Sequence, residues 1–183
     1  MKLIEILPEQ HNILISLAYA SNNNFTRKKI YKNERSFLRE EAFLALEKTI
    51  SIASKMGLKI KIFDTFRPVE AQRIMWNFNP NPEYIANPEY GSPHSRGIAI
   101  DLTLCTKDNT ELDMGTPFDS FSKKSHHDYL DFDYKILQNR SLLLGIMTLS
   151  GWDFYKNEWW HYQLYDSKKY PLLTDKAAGT NLI

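Results

Sequence analysis

Apolar residues recur at three- and four-residue steps between positions 34 and 56: Leu38, Ala42, Phe43, Leu46, Ile50, Ala53 and Met56. That spacing puts them on one face of a helix, and Gly57 follows as a stop signal. Leu58 to Asp64 then largely alternates apolar and polar residues, the pattern of a half-buried strand. Pro68 opens a second helix, Val69 to about Asn77, in the early position that proline favours. The stretch 79–93 carries Pro80, Pro82, Pro88, Pro93 and Gly91 and reads as a loop. Ile98 to Cys105 reads as a strand, and Thr106 to Thr110 as a hairpin tip. Tyr134 to about Ser150 is a third helix, ended near Gly151, and Trp160 to Tyr165 a last strand. The tail 166–183 holds Pro171 and Gly179 and is expected to be irregular. Helices and strands mix without a regular strand–helix–strand alternation. This predicts an α+β fold with a central, mainly antiparallel sheet and flanking helices. No repeat or linker divides the chain, so 1–183 is expected to be a single domain.

Composition narrows the function. With 183 residues, 43% of them apolar, and 10 Tyr, 10 Phe and 4 Trp, the chain can bury a real core and is not a disordered one. The 23 Lys and Arg against 22 Asp and Glu leave a net charge of +1, which argues against a nucleic-acid binder. No apolar run approaches the ~18–20 residues of a membrane span. Glu5 and Pro8 interrupt the opening apolar residues and no small-residue cleavage site follows, so the expected location is cytoplasmic. The sequence is silent on oligomeric state. The one cysteine, Cys105, permits neither an internal disulfide nor a multi-thiolate zinc site. A metal must then rest on carboxylates and on some of His11, His94, His126, His127 and His161.

Two segments stand out, Ser92-Pro93-His94-Ser95-Arg96-Gly97-Ile98-Ala99-Ile100-Asp101 and Glu158-Trp159-Trp160-His161. Two histidines and one aspartate are a sensible donor set for catalytic zinc, because three protein ligands leave the fourth tetrahedral position open. Glu158 supplies a further carboxylate that could accept a proton. His94 and Asp101 are seven apart, an odd separation that would put them on opposite faces of an unbroken strand. The chain must therefore bend, and Ser95-Arg96-Gly97 is the expected place. A turn at 156–159 running into a strand at 160 would likewise bring Glu158 and His161 to one cleft, and Asn157 suits it. Asp101 lies between Ile100 and Leu102, where a buried carboxylate needs a charge partner or a metal. Isolated histidines are usually structural, and by that prior His11, His126 and His127 are not ligands.

These residues resemble the zinc D-alanyl-D-alanine dipeptidases of the VanX type, part of a group of peptidoglycan-active metallopeptidases related in fold to the Hedgehog signalling domain. The family pattern S-x-H-x-x-G-x-A-x-D stands here as Ser92, His94, Gly97, Ala99 and Asp101, and the later E-x-W-H as Glu158, Trp160 and His161. Tyr19 with Asn24-Phe25-Thr26, then Thr65-Phe66-Arg67-Pro68, Met114-Gly115-Thr116-Pro117-Phe118-Asp119 and Ser125-His126-His127 follow in the family's order. The resemblance runs from about residue 3 to 165.

The resemblance implies one zinc ion on His94, Asp101 and His161, with Glu158 as general acid/base and Arg67 stabilising the oxyanion. It implies that Tyr19 and Asp119 hold the ammonium of a small dipeptide and that Ser92 helps to orient it. The implied reaction is hydrolysis of D-Ala-D-Ala to two D-alanines, in glycopeptide resistance or wall-fragment recycling. Plainer roles stay open: Arg67 as a surface arginine, Asp119 as an Asx-turn or helix cap, Tyr19 as a core aromatic, Trp159 and Trp160 as packing. Pro93 removes a backbone donor beside Ser92 and restricts its conformation. The rival readings are a D,D- or L,D-carboxypeptidase on peptidoglycan peptides and a non-catalytic zinc-binding domain.

Overall fold

The computed structural model describes residues 3–183. Among the described residues, seven strands and five helices follow one another. The strands are β1 (Ile4–Ile6), β2 (Leu14–Ile15), β3 (Ser36–Leu38), β4 (Leu58–Asp64), β5 (Ala99–Thr106), β6 (Asp153–Phe154) and β7 (His161–Gln163). The helices are α1 (Pro8–His11), α2 (Glu40–Lys55), α3 (Val69–Phe78), α4 (Tyr134–Leu149) and α5 (Asp175–Ala178). The main sheet has the order β2-β4-β5-β7-β6, and only the β2–β4 pair is parallel. The expected α+β fold with a mainly antiparallel sheet is the one observed.

The pleat of the sheet separates core from site. Ile60 and Ile62 of β4 lie opposite Leu104 and Leu102 of β5, and Ile100 lies opposite Tyr162 of β7. These residues share one face and form the main core together with Leu46 of α2, Leu143 and Met147 of α4, and Trp152. The alternate residues of β5, including Asp101, point to the other face. Every residue of β5 from Ala99 to Cys105 is buried, which explains its nearly unbroken apolar run.

Three boundaries differ from the expectation. The first long helix begins at Glu40, not at 34. Residues 36–38 instead pair with β1, Ile4 opposite Leu38, because an apolar residue at a strand position satisfies the same pattern. The acidic Glu40 and Glu41 then suit the helix's first turn. The last strand is only His161–Gln163, since Trp159 and Trp160 belong to the turn before it. The tail is less irregular than expected. Thr174 caps α5 by accepting from the Ala177 N–H, and the Asp175 carboxylate accepts from Thr180, Leu182 and Ile183.

The bend between His94 and Asp101 is where the spacing required it. His94–Arg96 form a 3-10 turn and Gly97 closes it at φ 70°. A Cβ on Gly97 would come within 2.9 Å of Leu3 Cδ2. Arg39, itself buried, secures the turn: its backbone N–H donates to the Gly97 carbonyl at 2.8 Å and its guanidinium to the Arg96 and Pro171 carbonyls. No helix among the described residues is long and apolar enough to cross a membrane.

Candidate metal centre

Asp101 of β5 lies directly opposite His161 of β7 and, on its other side, opposite Asp64 at the end of β4. Directly paired residues project to the same face of a sheet. His94 reaches the same point from the bend. Asp101 Oδ1 is 3.0 Å from His161 Nδ1 and 3.3 Å from His94 Nε2, and the two ring nitrogens are 3.0 Å apart. The ligand atoms of all three residues lie within 4.8 Å of one another, and all three residues are buried. The outer ring nitrogens are tied to oxygen acceptors: His94 Nδ1 donates to the Thr65 carbonyl at 2.6 Å, and His161 Nε2 to Gln163 Oε1 at 3.1 Å. With those bonds made outward, His94 Nε2 and His161 Nδ1 face the Asp101 carboxylate, where each can offer a lone pair in the neutral form of its ring. Two nitrogen lone pairs and one carboxylate converging on a point fit a divalent cation such as zinc.

The electrostatics agree. Four carboxylates, those of Asp64, Asp101, Asp119 and Glu158, converge around the single guanidinium of Arg67. Burial pushes Asp101 upward, but His94 and His161 beside it prevail and hold it well below the usual carboxylate range. Loss of hydration pushes Glu158 up to about 8, opposed by His161 and reinforced by Asp101 and Asp119. Asp119 is likewise pushed up to about 8 by lost hydration and the charge of Asp101, against the pull of Arg67. This excess of acid is what a cation and an ammonium group would relieve.

The turn before β7 carries Glu158. Its Oε2 lies 4.0 Å from His161 Nδ1, and its side chain is 10% exposed. The His127 backbone N–H donates to the Lys156 carbonyl of this turn at 2.9 Å, and its ring is pushed down to about 4, chiefly by burial. The adjacent Trp159 donates from Nε1 to Thr116 Oγ1 at 2.8 Å, joining this turn to the segment that bears Asp119. Trp160 lines the cleft and Trp159 packs behind it.

Arg67 follows β4 directly and is held on several sides. Its Nε donates to Asp64 Oδ2 at 2.8 Å, its Nη1 to Gln72 Oε1 at 3.0 Å, and its guanidinium carbon lies 5.0 Å from the centre of the Tyr19 ring. Its Nη2 faces Asp101 Oδ2 at 3.6 Å. Asp119 adopts a left-handed backbone, φ 59°, and both its oxygens accept from the Tyr19 hydroxyl, at 3.0 and 3.1 Å. Ser92 Oγ accepts from the His94 N–H at 3.2 Å, and Pro93 turns into the helical region at φ −55°, starting the 3-10 turn.

All eight residues anticipated from the sequence, Tyr19, Arg67, Ser92, His94, Asp101, Asp119, Glu158 and His161, line one cavity of about 270 Å³. The segment 82–86 roofs it. Tyr155 donates to the Glu83 carbonyl at 2.7 Å, and Tyr84 meets His126 Nε2 at 3.1 Å and stacks on Phe121. Cys105 lies outside this cavity, with its thiol pushed up to about 11 by burial. Asp64, Gln72 and Gln163 were not anticipated, and His126 and His127 stood in the Ser125-His126-His127 segment without an assigned role. Asp64, between Phe63 and Phe66, carries the same signal as Asp101, a carboxylate in an apolar strand. No sequence signal marks Gln72 or Gln163.

The profile of the Peptidase_M15 family, described as D-ala-D-ala dipeptidase, matches residues 2–177. The chain is 42% identical over 164 residues to the D-alanyl-D-alanine dipeptidase of Escherichia coli strain K12, covering 90% of this chain and 85% of that one. It is 34% identical over 182 residues to the D-alanyl-D-alanine dipeptidase of Enterococcus faecalis strain V583, covering 88% and 90%. The solved structure of the LD-carboxypeptidase LdcB shares the fold, with a TM-score of 0.52 at 17% identity over 90% of this chain and 69% of that one.

Proposed function

The chain belongs to the Peptidase_M15 family of D-Ala-D-Ala dipeptidases, and on that premise we propose that it hydrolyses D-Ala-D-Ala with one zinc ion held by His94, Asp101 and His161. The observation that carries this reading is the pair of ring nitrogens converging beside Asp101, with Glu158 Oε2 4.0 Å from His161 Nδ1 and Arg67 Nη2 3.6 Å from Asp101 Oδ2. Zinc, when bound, supplies Lewis-acid polarisation of the scissile carbonyl and of the attacking water.

The chain's own groups carry the rest. Glu158 takes a proton from the attacking water on its carboxylate and returns it to the amide nitrogen as the C–N bond breaks, so both alanines leave with balanced protons. The guanidinium of Arg67 faces the oxygen that becomes negative, a contribution worth about 3–4 kcal/mol at comparable sites. Asp119, braced by Tyr19, pairs with the substrate's ammonium. Ser92 Oγ, already accepting from His94, keeps its own proton for the dipeptide. An ammonium partner inside a roofed cavity favours a free dipeptide over a chain whose amine lies further away. The cytoplasmic location anticipated from the opening residues is part of the reading, and cell fractionation checks it.

Release of D-alanine from D-Ala-D-Ala, from an amino-blocked dipeptide and from a longer peptide tests the proposal, each with and without chelator. The expected result is chelator-sensitive cleavage of the free dipeptide alone. Faster cleavage of the longer peptide would select the carboxypeptidase reading, and no cleavage of any would select the non-catalytic one.

A further inference from the structure

We propose that Gln72 is a positioning residue that aims the Arg67 guanidinium into the cleft and ties it to the cleft's roof. The inference rests on the oxyanion role proposed for Arg67. Gln72 sits in the first turn of α3, 1% exposed, and its backbone N–H donates to the Pro68 carbonyl. Both ends of its amide are used. Oε1 accepts from Arg67 Nη1 at 3.0 Å, and Nε2 donates to the Ala86 carbonyl at 2.7 Å. A buried amide is retained only where its polar atoms are paired, and here the partners are one guanidinium and one roof carbonyl.

The geometry says what this does. Asp64 holds the guanidinium at Nε, a single point about which the plane can still swing. Gln72 holds Nη1 and fixes the plane, so that Nη2 is the edge presented to the cleft, 3.6 Å from Asp101 Oδ2. Without Gln72 the loosened group, still held at Nε by Asp64, can turn toward the Asp101 carboxylate, which is needed elsewhere. The roof has ties further out, Tyr155 to the Glu83 carbonyl and Tyr84 to His126, but Gln72 joins it to the reacting groups. Closure of the roof and alignment of Arg67 are therefore set by one side chain.

The test is a double-mutant cycle of Gln72→Met and Arg67→Ala, assayed with D-Ala-D-Ala on zinc-loaded protein. Methionine keeps the length and loses both hydrogen bonds. Gln72→Met is expected to lower kcat by up to about 10²-fold, the scale of an ångström-sized misplacement, with zinc content unchanged. In the Arg67→Ala background the same change should alter kcat by less than about twofold, because a residue acting through Arg67 has nothing left to act on. An equal loss in both backgrounds overturns the proposal, as does a wild-type kcat in Gln72→Met while Arg67→Ala is crippled. If Arg67→Ala itself keeps its kcat, the oxyanion role fails first, and this inference with it. Gln72→Glu covers the case of a poorly folded methionine variant. It leaves an oxygen for Nη1, so kcat should stay within about threefold while KM rises, and a tenfold or greater loss of kcat contradicts the proposal.

Discussion

Replacing Asp64 by alanine should be one of the most damaging single changes near the cleft. Asp64 is fully buried, and its two oxygens accept from the Tyr31 hydroxyl at 2.9 Å and from Arg67 Nε at 2.8 Å. Alanine would leave a guanidinium whose side chain is only 10% exposed without its nearest anion. Breaking a buried ion pair from one side costs about 3–5 kcal/mol, and the abandoned Tyr31 hydroxyl adds about 1 kcal/mol. The sum is a large part of the 5–15 kcal/mol that typically holds a domain together. Asparagine keeps the shape and an oxygen for Arg67, and its amide can donate to the Tyr31 oxygen. It loses only the charge, so about 1–2 kcal/mol is expected. Urea unfolding followed by tryptophan fluorescence reads both, since Trp152, Trp159 and Trp160 are buried. The loosened Arg67 should also turn toward Asp101, so both variants should bind zinc more weakly. An alanine variant within 1 kcal/mol of the asparagine variant would refute the idea that the hydrogen bonds to Arg67 and Tyr31, beyond the charge itself, carry most of what Asp64 contributes.

Three further outcomes follow. Gly97→Ala meets both a φ of 70° and Leu3 Cδ2 at 2.9 Å; it should cost about 2–4 kcal/mol and weaken zinc binding, and an unchanged zinc affinity by chelator competition would contradict the role of the bend. His127 has its pKa lowered from 6.5 to about 4 by burial. The fold therefore favours the neutral ring, and this contribution is whole above the unfolded value and lost as pH falls toward 4. By pH 5 the loss is about 2 kcal/mol, so wild type should lose that much more stability between pH 7 and 5 than His127→Phe, and equal losses in both would dismiss the effect. Asp119→Asn keeps a partner for Tyr19 but not the charge, so KM for D-Ala-D-Ala should rise with zinc content unchanged; an unaltered KM would remove Asp119 from ammonium binding.

The chain's own pattern revealed what is local. The alternation of 58–64, the apolar run around Asp101 and the glycine bend at 97 each follow from neighbours in sequence, and each is found where expected. The start of α2 differs from the pattern's expectation because Leu38 fits a strand as well as a helix, and its partner Ile4 decides between them. Asp101 standing opposite both Asp64 and His161 is a fact of strand register, which no local pattern encodes. Gln72 and Gln163 act through contacts made by folding, and an amide carries no charge or periodicity to mark it beforehand. His126 and His127, set aside as ligands because isolated histidines are usually structural, meet the roof at Tyr84 and the Glu158 turn at the Lys156 carbonyl.

The proposed division of labour gives Glu158 the proton and His94, Asp101 and His161 the metal. Glu158→Gln separates the two functions most directly, with zinc stoichiometry and D-Ala-D-Ala turnover measured on the same preparation. One zinc per chain with turnover reduced on the order of 10²–10⁴-fold is the expected result. Turnover within tenfold of the parent, or loss of the zinc itself, would contradict it.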